Sequence, residues 1–157
     1  MLKLLYICTH NRCRSILSEA ITNAVGAETL IAKSAGSQPV GEVHPLSLKY
    51  LAEAGYTTTG LTSESWDDFA EFAPDVVITV CDSAAAEVCP VYFSDATKIH
   101  WGLSDPSKIV GTDDDVAQAF RTCIGLIKTR VDQLKAIAES DLAKEDRLLA
   151  LNALVKQ

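Results

Sequence analysis

The sequence predicts an α/β fold: a four-stranded parallel sheet flanked by helices on both faces, followed by a helical C-terminal extension. Short apolar runs alternate with apolar residues at helical spacing. The composition, 48% hydrophobic and 22% charged over 157 residues, suits one chain-length domain, 1–157, with a core of its own and residues 139–157 as the extension. Cysteines and an aspartate also follow strand-like runs, where open parallel sheets place their ligands.

Strands are expected at Lys3–Ile7, near Leu30–Ala35, at Val76–Val80 and near Lys98–Trp101. Between the first two, Ile16, Leu17, Ala20, Ile21 and Val25 fall on one helical face, and Gly26 ends it. Pro45 opens a second helix, with Leu46, Tyr50, Leu51 and Ala54 on one side and Gly55 just beyond. Ser65 can cap a short helix through Trp66, Phe69 and Phe72, halted before Pro74. A long helix is predicted over Asp113–Glu139, its stripe formed by Val116, Phe120, Cys123, Ile127, Val131, Leu134 and Ala138. Three aspartates load its positive N-terminal end. Residues 140–157 read as a further helix.

The loop Cys8-Thr9-His10-Asn11-Arg12-Cys13-Arg14, followed by Ser15, joins the first strand to the first helix. Such a loop turns successive backbone N–H groups inward, and the helix N-terminus adds partial positive charge. Residues Thr9 to Arg14 therefore form a candidate oxyanion cradle, with the planar Arg14 guanidinium gripping two oxygens. Arg12 is expected to face solvent. The same field should lower the Cys8 pKa and hold a thiolate beneath the bound anion. Ser15 can donate to that thiolate or cap the helix.

Asp105, before Pro106 on a loop after the fourth strand, is a candidate general acid for the oxygen that leaves. Cys81 and Cys89 flank a stretch of small residues after the third strand. Cys81 can attack an adduct on Cys8, and Cys89 can then attack the resulting disulfide. If that stretch stayed helical, about 12 Å would separate the two α-carbons, so their pairing requires the helix to unwind. Cys13 can shield Cys8 as a disulfide, and Cys123 belongs to the core. His10, His44 and His100 share no spacing and receive no catalytic role.

The five cysteines fit neither a disulfide framework nor a zinc pattern, and no metal or cofactor is expected. Net charge is −7, and the basic residues form no dense cluster, which argues against nucleic acid. No apolar run reaches membrane-spanning length. A cleaved leader would remove Cys8, so a cytoplasmic location is expected.

Taken together, the Cys8–Ser15 loop, Ser34-Ala35-Gly36-Ser37, His44-Pro45, Cys81 to Pro90 and Asp105-Pro106 resemble a low-molecular-weight protein tyrosine phosphatase-type domain. The resemblance covers about the first 138 residues and is closest to the arsenate reductases coupled to thioredoxin. It implies Cys8 as nucleophile, Arg14 as anion binder and Asp105 as general acid. Phosphatases of this type usually carry tyrosines after Asp-Pro, whereas Ser107 and Lys108 stand here. Two further cysteines mark the reductases, matched by Cys81 and Cys89. The implied cycle is attack of Cys8 on arsenate, then release of arsenite as Cys81 pairs with Cys8. Cys89 next takes Cys81, and a reductant opens that disulfide.

Two departures stand out. His10 occupies a place where the family more often has glycine, and the Cys81–Cys89 spacing is one residue longer than in the thioredoxin-coupled enzymes. The reductant is thus thioredoxin first, or glutathione with glutaredoxin. Some relatives hold potassium beside the loop, and Asn11, Glu19 and Ser34 match part of that site. Two other readings share these residues: a phosphatase acting on phosphotyrosine or small aryl phosphates, and a non-catalytic redox regulator using Cys8 and Cys13.

Overall fold

The computed structural model describes residues 2–26, 28–81, 93 and 96–140. Strands β1 (Leu2–Ile7), β2 (Leu30–Ala35), β3 (Val76–Thr79) and β4 (Thr97–His100) form a parallel sheet in the order β2-β1-β3-β4. The chain winds outward from β1 in both directions, so the gap beyond the carboxyl ends of β1 and β3 is the sheet's switch point. Leu4, Leu5, Tyr6 and Ile7 of β1 are all at most 1% exposed, as expected of a central strand covered on both faces.

Helix α1 (Arg14–Gly26) buries Ile16, Leu17, Ala20 and Ile21, the predicted stripe. Its Asn23 side chain bonds both backbone groups of Ala32, at 2.8 and 3.1 Å, fastening α1 to β2. Helix α2 (Pro45–Glu53) starts at the predicted proline, with the His44 ring nitrogen accepting the Leu46 N–H. Helix α3 (Asp113–Ala138) opens on a capping box in which Thr112 and Asp115 each bond the other's backbone. It buries Phe120, Cys123, Ile127, Val131 and Leu134 and packs against α1 and α2.

The short helix expected after Ser65 is only a 3-10 turn, Trp66–Phe69. Ser65 does cap it, but Ala73 at φ +52° already reverses the chain. The end of β2 explains one motif. A Cβ on Gly36 would lie 2.5 Å from the Thr9 carbonyl oxygen and 2.7 Å from that of Cys8. Only glycine lets this segment lie against the loop after β1. The predicted Cys89 and the helix after Ser140 lie outside the described residues.

Candidate active site

Sheet register sets the centre of the site. Ile7 of β1 pairs with Thr79 of β3, and the Val80 N–H donates to the Ile7 carbonyl at 3.0 Å. Cys8 and Cys81 leave neighbouring strands side by side, one residue beyond Ile7 and two beyond Thr79. Both are buried, and Thr9 Oγ1 lies 3.8 Å from the Cys81 sulfur. Cys8, Cys13, Cys81 and Cys123 form no disulfide with one another.

The loop after Cys8 is held from outside by its carbonyls. Thr9 accepts from the Gln38 N–H, His10 from Val40, Arg12 from His44, and Cys13 from Leu17. Among the described residues, no backbone bond of this kind uses the N–H of Arg12, Cys13 or Arg14. Carbonyls tied outward leave donors for the inside, the arrangement that binds an anion.

Asn11 makes this turn possible. It is fully buried at φ +47°, a left-handed conformation that asparagine tolerates better than most residues. Its amide nitrogen donates to Ser15 Oγ at 2.9 Å and Ser34 Oγ at 3.0 Å, and its oxygen accepts the Glu64 N–H at 2.7 Å. Ser34 in turn donates to Glu19 at 2.6 Å. Burial raises the pKa of Glu19, while that hydrogen bond opposes the shift. Asn11, Ser34 and Glu19 therefore satisfy one another and their neighbours: Asn11 donates to Ser15 and Ser34, and its oxygen is taken by the Glu64 N–H. This arrangement does not fit a cation cage.

Arg14 is positioned by the segment after β4. One terminal nitrogen donates to the Leu103 carbonyl at 2.8 Å, and the other lies 3.5 Å from Asp105 Oδ2. Its Nε is buried with no partner among the described residues. A buried guanidinium N–H left open in this way is able to donate to an oxyanion. Asp105 caps a 3-10 turn, Pro106–Lys108, with Oδ1 accepting from the Ser107 N–H and hydroxyl.

Several expectations need correction. The Cys8 pKa is raised, not lowered. The neighbouring Cys81 thiol is the largest cause and burial the next; Arg14 and the His10 N–H pull the other way and are outweighed. Ser15 lies inside the first turn of α1, so it is not the cap, and the contact found for it is with Asn11. His10 keeps a negative φ, and the strained position falls to Asn11. Arg12 is half-buried, lining a cleft with Val40, Glu42, Val43 and Pro45.

His44, for which the sequence suggests no catalytic role, packs beside the site. Its N–H holds the Arg12 carbonyl at 2.9 Å. Its pKa is lowered by burial and then by Arg12, which keeps the capping nitrogen an acceptor. Only the His-Pro dipeptide hinted at this. Cys13 is buried beside Ser47, which lowers its pKa slightly, but burial dominates and pushes it up to about 11.

The family model for low molecular weight phosphotyrosine protein phosphatases matches residues 3–148. An arsenate reductase of Halalkalibacterium halodurans is 33% identical over 135 residues, which are 86% of this chain and 94% of the relative. A glutaredoxin arsenate reductase of Synechocystis is 30% identical over 136 residues, 87% of this chain and 98% of the relative. The solved thioredoxin-dependent arsenate reductase of Corynebacterium glutamicum superposes with a TM-score of 0.67 at 28% identity. That likeness covers 88% of this chain and 62% of the other.

Proposed function

The chain belongs to the low molecular weight phosphotyrosine protein phosphatase family, in its arsenate reductase branch, and from that premise we propose a reaction path through its own residues. The observation that carries it is the placing of Cys8 and Cys81 side by side at the ends of the paired strands β1 and β3, since a phosphatase needs only the first.

Arsenate binds to the inward N–H groups of the loop and to Arg14. Because the resting Cys8 is a thiol, its proton passes to the bound anion as the sulfur attacks arsenic. The sulfur's lone pair forms the S–As bond. The As–O pair leaves with an oxygen protonated by Asp105, and water departs. Cys81, giving up its proton, then attacks the Cys8 sulfur. An S–S bond forms, and the S–As pair returns to arsenic, which leaves as arsenite. Cys89 attacks Cys81, regenerates Cys8 and leaves a Cys81–Cys89 disulfide. A dithiol protein of the thioredoxin type reopens it. The Corynebacterium relative supports thioredoxin, and the Synechocystis relative supports glutaredoxin as the second choice.

A relay of this kind needs a compartment that keeps returning its cysteines to thiols, so we place the enzyme in the cytoplasm. Among the described residues no helix is long and apolar enough to cross a membrane.

The test is arsenate-dependent NADPH oxidation with thioredoxin and its reductase, comparing wild type with Cys81→Ser and Cys89→Ser. Turnover that needs both cysteines is expected. Aryl phosphate hydrolysis in both variants, with no arsenate turnover in wild type, would overturn the relay. Activity only with glutathione and glutaredoxin would change the partner.

A further inference from the structure

The two oxygens of Asp105 are not equivalent. Oδ1 accepts twice from one residue, from the Ser107 N–H at 2.9 Å and the Ser107 hydroxyl at 2.6 Å. Oδ2 faces Arg14 at 3.5 Å, beyond hydrogen-bond length. Pro106 between them is buried and has no N–H to offer. Both donors of the turn that reach the carboxylate therefore come from Ser107.

We infer that Ser107 is a positioning residue that decides which oxygen of Asp105 carries the catalytic proton. A proton on Oδ1 would meet two donors already aimed at that atom, and one would have to let go. A proton on Oδ2 displaces no hydrogen bond and gives up only the longer ionic contact with Arg14. It also sits on the side of Arg14, the residue that grips the oxyanion, where the departing oxygen must be met. The two Ser107 bonds also fix the carboxyl plane, so Oδ2 need not be found by rotation when substrate arrives. The proton moves from Oδ2 to the leaving oxygen as the As–O bond breaks, and Asp105 is left as a carboxylate with Oδ1 still held. The inference rests on the reading of Asp105 as general acid.

Ser107→Ala removes the hydroxyl donor and leaves the backbone donor. The proton can then occupy either oxygen, and the carboxyl loses half of its restraint. Full general-acid catalysis contributes about 10²–10⁴-fold, so losing its aim is expected to lower kcat about ten-fold. The oxyanion grip is untouched, so competitive inhibition by inorganic phosphate should stay within about two-fold. Ser107→Thr, which restores the hydroxyl, should recover kcat.

The deciding measurement is a double-mutant cycle on arsenate turnover with Asp105→Asn, with thermal unfolding of each variant as the folding control. Ser107→Ala should have no further effect once Asp105 is asparagine. A loss of the same size in both backgrounds would overturn the inference, as would Ser107→Ala turning over at the wild-type rate. If Asp105→Asn itself matched wild type, the reading of Asp105 would fall instead, and that outcome is separately visible.

Discussion

Cys8 and Cys81 stand side by side at the ends of two paired strands, and the neighbouring Cys81 thiol, more than burial, raises the pKa of Cys8. Removing Cys81 should therefore make Cys8 more acidic, leaving Arg14 and the His10 N–H less opposed. We expect Cys81→Ala to speed iodoacetamide labelling of Cys8 about three- to ten-fold at pH 7, because the thiolate fraction sets the rate. Peptide mass spectrometry across a pH series reads this directly. Superimposable pH–rate curves for the two proteins would refute it.

Asn11 supports the loop through three side-chain hydrogen bonds and a left-handed backbone. Asn11→Ala loses both kinds of support and should cost about 2–4 kcal/mol, from buried partners left unpaired. Asn11→Gly regains the backbone freedom and should lie between alanine and wild type. Urea unfolding of the three proteins gives the order; glycine no better than alanine would mean that the backbone conformation contributes nothing.

At Gly36 an added methyl would press on the carbonyls of Cys8 and Thr9, which are main-chain atoms and cannot swing aside. Gly36→Ala should weaken phosphate binding at least ten-fold while lowering stability by about 1–3 kcal/mol, the usual cost of overpacking. Phosphate titration by calorimetry beside a melting curve separates the two effects. Unchanged phosphate affinity would show that the loop accommodates the methyl elsewhere.

Cys13 and Cys123 are both held well above the ordinary thiol value of 9.0, at about 11 and about 12, with burial the first cause in each. Each thus keeps its proton longer in the folded chain than in the unfolded one. Their contribution to stability is complete below pH 9 and is lost as pH rises towards 11 and 12. Melting temperatures should fall over that window, and Cys13→Ala or Cys123→Ala should flatten the fall whatever either does at pH 7. Equal slopes in the variants would rule the thiols out.

The elements were legible because their signals are local. Pro45 starts α2, Thr112 to Asp115 carry their own cap, and the stripe from Phe120 to Leu134 lies where helical spacing puts it. The loop was legible because Cys8 and Arg14 stand at fixed distance in one short stretch. Long-range contacts decided the remainder. Nothing near Cys8 in sequence announces that Cys81 arrives through the β1–β3 pairing, yet that arrival reverses the expected shift of its pKa. Likewise, the partner of Ser15 is chosen by Asn11, whose role follows from bonds to Ser34 and Glu64 in distant segments.

The pairing of Ile7 with Thr79 has a kinetic meaning as well. The first two sulfurs of the relay are anchored one residue beyond Ile7 and two beyond Thr79, so hydrogen bonds between strands fix their bases. Their exchange is unimolecular, with an effective molarity that the sheet maintains and dilution cannot change. Diluting the enzyme should leave arsenite release per bound arsenate untouched and slow only the encounter with the external dithiol.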